Sequence, residues 1–185
     1  MSWLEWAAVG FSLLGVVLTA RRSMACWPVN LIACALYFRL FFDVRLYADM
    51  GLQALFGAAV VYGWVLWARG RGDHGPIAIV PLARAAALRD LACGAAAALA
   101  IGWFTSHYTD AALPWVDAAL TGFSLVGQYW TARRHVANWP LWMIVDCAYV
   151  GMYLAKGLWL TAALYALFVM LAALGWRAWR RAASR

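Results

Sequence analysis

The sequence predicts an all-α integral membrane protein of seven transmembrane helices, built as two parallel three-helix repeats joined by one inverting helix (3+1+3). Three observations carry that prediction. Hydrophobic residues fill 66% of the 185 positions and charged residues 12%, which leaves too little polar surface to enclose a soluble core. Apolar runs recur along the whole chain, so a cleaved leader does not explain them. The stretch Gly10 to Trp67 returns at Gly122 to Trp179 at a constant offset and with no gap, and 22 of the 58 pairs are identical.

The first span is predicted over Trp3–Ala20, ending at the pair Arg21-Arg22. The second, Trp27–Phe42, opens on Trp27-Pro28, and proline is tolerated in the first turn of a helix. It is short for a hydrocarbon layer of about 30 Å and carries Arg39 beside Asp43, so its support comes mainly from the repeat. The third is Leu46–Ala68, closed by Arg69, and Gly70–Arg84 is the sizeable linker. The unduplicated fourth span is Ala85–Phe104. The fifth, Leu113–Ala132, again ends at an arginine pair, Arg133-Arg134; the sixth, Trp139–Ala155, opens on Trp139-Pro140; the seventh is Leu158–Trp179. Residues 1–68 thus form the first repeat, 69–112 the linker and connecting helix, and 113–185 the second repeat with a basic tail. Repeat two starts an even number of crossings after repeat one, which makes the two parallel.

One side of this topology collects Arg21, Arg22, Arg69, Arg71, Arg84, Arg89, Arg133, Arg134, Arg177, Arg180, Arg181 and Arg185, while the other holds Arg45 and Lys156. The positive-inside rule then puts the N-terminus outside and the C-terminus in the cytoplasm. Anionic lipid headgroups and topology account for the net charge of +7, so no nucleic-acid partner is implied. Trp3, Trp6, Trp64, Trp67, Trp176 and Trp179 are expected in interfacial aromatic belts. Cys26, Cys34, Cys93 and Cys147 lack metal-ligand spacing and read as packing residues. His74, His107 and His135 are far apart and expected in loops, and no catalytic or cofactor motif is present. The pairs Gly15/Gly127 and Gly63/Gly175 are expected where helices pack closely.

The duplication is most informative where it is broken, because a pseudo-symmetric scaffold must become asymmetric to hold an asymmetric small molecule. Trp142, Asp146 and Tyr149 follow i, i+4, i+7 spacing on the sixth span, with Trp139 one turn earlier. Their repeat counterparts are Asn30, Cys34, Tyr37 and Trp27. A carboxylate within a span is costly and faces a polar cavity or a partner, so Asp146 is the leading candidate, with an ion pair to Arg39 as the structural alternative. Gln53 and Gln128 stand opposite Tyr165 and Val16 in the repeat, and either touch cargo or bond between helices.

At these residues the chain resembles the PnuC-type vitamin transporters, a family that carries nicotinamide riboside. The resemblance rests on LYADMGLQ followed by YGW around the third span and on Trp139-x-x-Trp142-x-x-x-Asp146 on the sixth, and extends over almost the whole chain. It implies a full-length version of the SWEET sugar-transporter fold, in homotrimers, in the bacterial inner membrane. It also implies facilitated diffusion of a vitamin precursor, trapped inside by a cytoplasmic kinase, and places Trp139, Trp142 and Asp146 in the binding region. The family commonly has Asn where this chain has Asp146.

The nicotinamide ring of the riboside is a permanent cation, suited to an aromatic wall with a carboxylate, where tryptophan faces supply about 0.5–2 kcal/mol. Its ribose needs polar partners such as Gln53, Gln128 and Asn30. Thiamine, also a flat cation and a cargo of the same superfamily, fits equally; neutral riboflavin does not. A membrane-embedded enzyme using Asp146 with Arg39 or Tyr149 is the reading from another class, and it lacks a second catalytic group.

Overall fold

The computed structural model describes residues 3–43, 47–70, 77–109, 113–155, 157 and 159–184, with the side chains of 47–49 left aside. Arg45, Arg71, His74, Lys156 and Arg185, which enter the charge and histidine expectations, lie outside the described residues. Seven helices run in order among them: α1 (Trp3–Ala20), α2 (Cys26–Asp43), α3 (Tyr47–Arg69), α4 (Arg84–Tyr108), α5 (Pro114–Ala132), α6 (Asn138–Ala155) and α7 (Trp159–Ala183). Five of them, α1, α2, α3, α4 and α7, are long and apolar enough to cross a membrane by length and composition. Polar side chains set α5 and α6 apart: Asp117, Thr121, Ser124, Gln128 and Thr131 on α5, Asn138 and Asp146 on α6.

The duplication extends to backbone detail. Both bounds of α6 fall on the repeat equivalents of the bounds of α2, and α7 starts at the repeat equivalent of the start of α3. The turn after α1 closes with Ser23 N–H on Leu18 O (3.0 Å) and Arg22 N–H on Thr19 O (2.9 Å), and the turn after α5 repeats the longer bond from His135 N–H to Trp130 O (2.9 Å). Those bonds consume carbonyls that a helix end leaves without partners. The motif places one residue in the left-handed region, usually glycine, yet here it is Arg22 (φ 55°) and Arg134 (φ 65°). Arginine is useful there because its head reaches the chain beyond: Arg22 Nη1 donates to Ile77 O at 3.0 Å, and the Arg134 guanidinium lies against Gly70. Pro28 and Pro140 fall in the first turns of α2 and α6, where no helical hydrogen bond is lost.

The chain divides into two compact units. The first comprises Met1–Ile79, Ala132–Arg134 and Leu174–Arg185. Within it α2 packs against both α1 and α3. The Asn30 amide lies on Gly15 and would have to move for a side chain there, while the buried Trp27 indole lies on Gly63 and leaves no room for one. Gly63→Ala is therefore expected to cost about 1–3 kcal/mol through overpacking, read as a lower unfolding midpoint of the purified protein; an unchanged midpoint would mean that Trp27 has room to move.

Trp67 and Trp179 correct the belt expectation. They are 0% and 1% exposed, with ring centroids 6.1 Å apart, and Trp27 meets Trp67 edge-on at 5.1 Å. Each indole N–H caps a carbonyl at the end of a first helix of the other repeat: Trp67 Nε1 donates to Ala132 O (3.1 Å) and Trp179 Nε1 to Thr19 O (3.2 Å). The two tryptophans occupy equivalent repeat positions, which is why the bonds are reciprocal. Outward-facing aromatics do exist at other helix ends, with Trp3, Trp6, Trp103, Tyr108, Trp115 and Trp159 all at least half exposed.

The second unit comprises Val80–Thr131 and His135–Ala173. Its core is built from Leu120, Val126, Trp130, Leu141, Val145 and Met152. Gly94 lets α4 approach α5 so closely that a Cβ at Gly122 would stand 2.5 Å from Gly94 O. Asp90 of α4 is buried but fully engaged: Trp130 Nε1 donates to it at 3.0 Å and Arg89 grips it through Nε (3.1 Å) and Nη2 (2.8 Å). Helix α4 runs a turn beyond the predicted span, which places His107 on the helix rather than in a loop, its Nδ1 2.8 Å from Trp103 O. His135 is not a solvated loop residue either, since its Nδ1 lies 2.9 Å from Val80 O. The four cysteines are free thiols; Cys26 is buried, while Cys93 and Cys147 face outward.

Candidate functional site

Helices α5 and α6 run antiparallel through the short turn between them. Trp142 Nε1 donates to Thr131 Oγ1 at 3.3 Å, and farther along Ser124 lies beside the Tyr149 phenol. These contacts place Asp146 opposite Gly127 and Gln128. The Trp142 ring lies on Gly127 in the position that Asn30 takes on Gly15 in the first repeat. One backbone arrangement thus carries an indole in one repeat and an amide in the other.

Asp146 is 7% exposed, and among the described residues its carboxylate has neither a hydrogen bond nor an ion pair. Arg39, its sequence-level rival, is an exposed residue engaged with Asp43 one turn on along α2 (3.0 Å). Asp146 lies close enough to the phenols of Tyr149 and Tyr165 to act on them electrostatically. Trp139 is 2% exposed, at the start of α6. Gln128 is half-buried on α5.

Two tyrosines that sequence reasoning did not select complete this face. Tyr149 stacks on Tyr153 (5.9 Å, 15°), and Tyr165 of α7 closes on both at 4.7 and 5.2 Å. The first unit repeats the stack as Tyr37 on Phe41 (6.0 Å, 24°). There Gln53 stands at the position equivalent to Tyr165. Asn30, Tyr37 and Gln53 are half-buried in that unit, and neither Asn30 nor Gln53 has a hydrogen-bond partner among the described residues. The structure therefore gathers Trp142, Asp146, Tyr149 and Gln128 on one seam of the second unit, while Asn30, Tyr37 and Gln53 belong to the first.

Five helices long and apolar enough to cross a membrane, with a buried carboxylate near aromatic rings in the second unit, fit a multi-pass membrane protein, and the family places it in the transporter class. The chain belongs to the nicotinamide mononucleotide transporter family, whose model matches residues 2–181. It is 28% identical to the riboflavin/roseoflavin transporter RibM of Streptomyces davaonensis, covering 94% of this chain and 84% of that one. It is 26% identical to the nicotinamide riboside transporter PnuC of Escherichia coli, with 97% and 85% covered. Its fold matches a crystal structure of the vitamin B3 transporter PnuC with a TM-score of 0.80, 21% identity, and coverage of 100% of this chain and 83% of that one.

Proposed function

We propose that this protein takes up nicotinamide riboside by facilitated diffusion. The observation that carries the reading is the buried, unpartnered Asp146 carboxylate beside aromatic rings. Burying a charge without a partner is expensive, and a cationic heteroaromatic cargo supplies the missing partner. Trp139, Trp142 and the tyrosine cluster add ring faces, and Gln128, Gln53 and Asn30 offer amides for ribose hydroxyls. A phosphorylated cargo is disfavoured because neither α5 nor α6 contains a lysine or arginine to meet a desolvated phosphate.

The two repeats lie parallel in a 3+1+3, SWEET-like plan, and rocking of one against the other alternates access without ATP. The N-terminus faces outward and the C-terminus the cytoplasm of a bacterial cell, where a kinase traps the product. Homotrimers, with a pathway in each protomer, follow from the family resemblance. Calorimetric titration of the purified protein with nicotinamide riboside, thiamine and riboflavin tests the cargo. Tight riboside binding is expected; binding of thiamine alone would move the cargo within the cationic vitamins, and binding of riboflavin alone would overturn the role given to Asp146.

A further inference from the structure

Seven polar or charged side chains are buried among the described residues: Thr19, Asp90, Thr121, Ser124, Thr131, Asn138 and Asp146. Thr19 and Thr131 donate to carbonyls one turn back, Gly15 O and Gly127 O, both at 2.8 Å. Asp90 holds Trp130 and Arg89, Ser124 lies beside the Tyr149 phenol, and Asn138 donates to His135 O while its own Oδ1 is buried without a hydrogen-bond partner. The remaining two, Thr121 (4% exposed) and Asp146, have no hydrogen-bond partner among the described residues. The oxygens of neither residue are among the side-chain atoms sealed away without a partner, so both keep some access to a bound molecule, and Thr121 forgoes the carbonyl four residues back that a threonine in a helix can take.

Asp146 is also a place where the duplication is broken toward polarity, since the first repeat has Cys34 there, while Thr121 stands one residue before the duplicated stretch. Thr121 belongs to a stripe on one face of α5, spaced Asp117, Thr121, Ser124, Gln128, Thr131. The face points at the α6 constellation: Ser124, one turn beyond Thr121, lies beside the Tyr149 phenol, and Asp117, one turn before it, is near enough to act on the same phenol. The α5–α6 register puts Asp146 opposite Gly127 and Thr121 opposite Met152 and Tyr153. Along the helix axis that is about 9 Å at 1.5 Å per residue. A heteroaromatic ring bearing a pentose spans such a distance from ring to far hydroxyl.

We propose that Thr121 is a specificity-determining residue that binds the hydroxylated tail of the cargo while Asp146 and the aromatic rings hold its ring. The inference rests on the proposed transport function but not on the cargo being a cation. It assigns recognition of the tail to the second unit. Tyr149, beside Ser124, lies on the seam between the two contacts.

The test offers each ring with and without its tail. Purified wild type, Thr121→Val and Thr121→Ser are titrated calorimetrically with nicotinamide riboside and N1-methylnicotinamide, and with riboflavin and lumiflavin. Valine has nearly the shape of threonine and removes a hydroxyl without a partner, so the fold is expected to tolerate it. Thr121→Val is expected to weaken whichever tailed ligand binds by about three- to tenfold, the worth of one neutral hydrogen bond, and to leave its tailless analogue within about twofold. Thr121→Ser, which keeps the hydroxyl, is expected to restore the affinity. Equal losses for tailed and tailless ligands, or no loss, would overturn the assignment. If wild type binds the flavin pair alone, the cation reading fails while the Thr121 comparison still decides; if it binds none of the four, both readings fall.

Discussion

Asp146→Asn is expected to weaken binding of a cationic vitamin by at least about tenfold while making the unliganded protein more stable. Both effects have one origin. The carboxylate is 7% exposed and has no partner among the described residues, so the empty protein carries its desolvation uncompensated. An amide of the same shape removes the charge but remains a polar group without partners, so a smaller increase, on the order of 1 kcal/mol in unfolding free energy, is expected. On the proposed function the carboxylate faces the cargo in the loaded state, and a hydrogen bond or contact involving a charged group contributes about 1.5–3 kcal/mol, or roughly 10- to 150-fold in affinity. Ring stacking remains in the variant, so weak transport is expected to persist. The paired measurement is calorimetric affinity for nicotinamide riboside and the thermal midpoint of the ligand-free protein. A lower midpoint with unchanged affinity would make Asp146 a structural residue. Retained binding with abolished turnover would instead favour acid–base chemistry at this position.

Much of this architecture was legible in the chain because a gapless duplication constrains two helices with each observation. The short second and sixth spans, weak by hydropathy, emerged as α2 and α6 with bounds at equivalent repeat positions. Tryptophans were harder. A belt residue and a buried helix-capping residue have the same sequence signature, an aromatic near the end of a span, and only the position of the opposing helix end separates Trp67 and Trp179 from Trp3 and Trp6. The proposed site could be read from the sequence where one residue breaks the repeat conspicuously, as at Asp146. It could not where a residue stands just outside the duplicated stretch, as with Thr121, or where an aromatic replaces an amide, as with Tyr165 opposite Gln53. The signal that would have found Thr121 is the alternating four- and three-residue spacing of polar groups along α5. Tyr153 and Tyr165 had no such signal, because their cluster forms only when α7 meets α6.

Trp179→Ala is expected to be the most destabilising single change, at about 3–5 kcal/mol, the usual cost of emptying a buried tryptophan site. The indole does two jobs that can be separated. Its rings fill the contact with Trp67 at 6.1 Å, and its N–H is a second donor to Thr19 O at the end of α1, beside Arg22 N–H. Trp179→Phe keeps much of the first and deletes the second, so about 1 kcal/mol for the hydrogen bond, plus a smaller packing loss, is expected. Trp67 holds the reciprocal bond to Ala132 O, and the same pair of substitutions there is expected to give the same ranking. Because the two rings touch, the losses in the double alanine variant are expected to fall short of additivity, and a double-mutant cycle on thermal or denaturant unfolding reads that coupling. Full additivity would mean that the two indoles act only as separate caps. A stable Trp179→Ala protein would mean that the joint between the two repeats in this unit is held elsewhere, and the reciprocal geometry would then be a product of the duplication rather than a support for it.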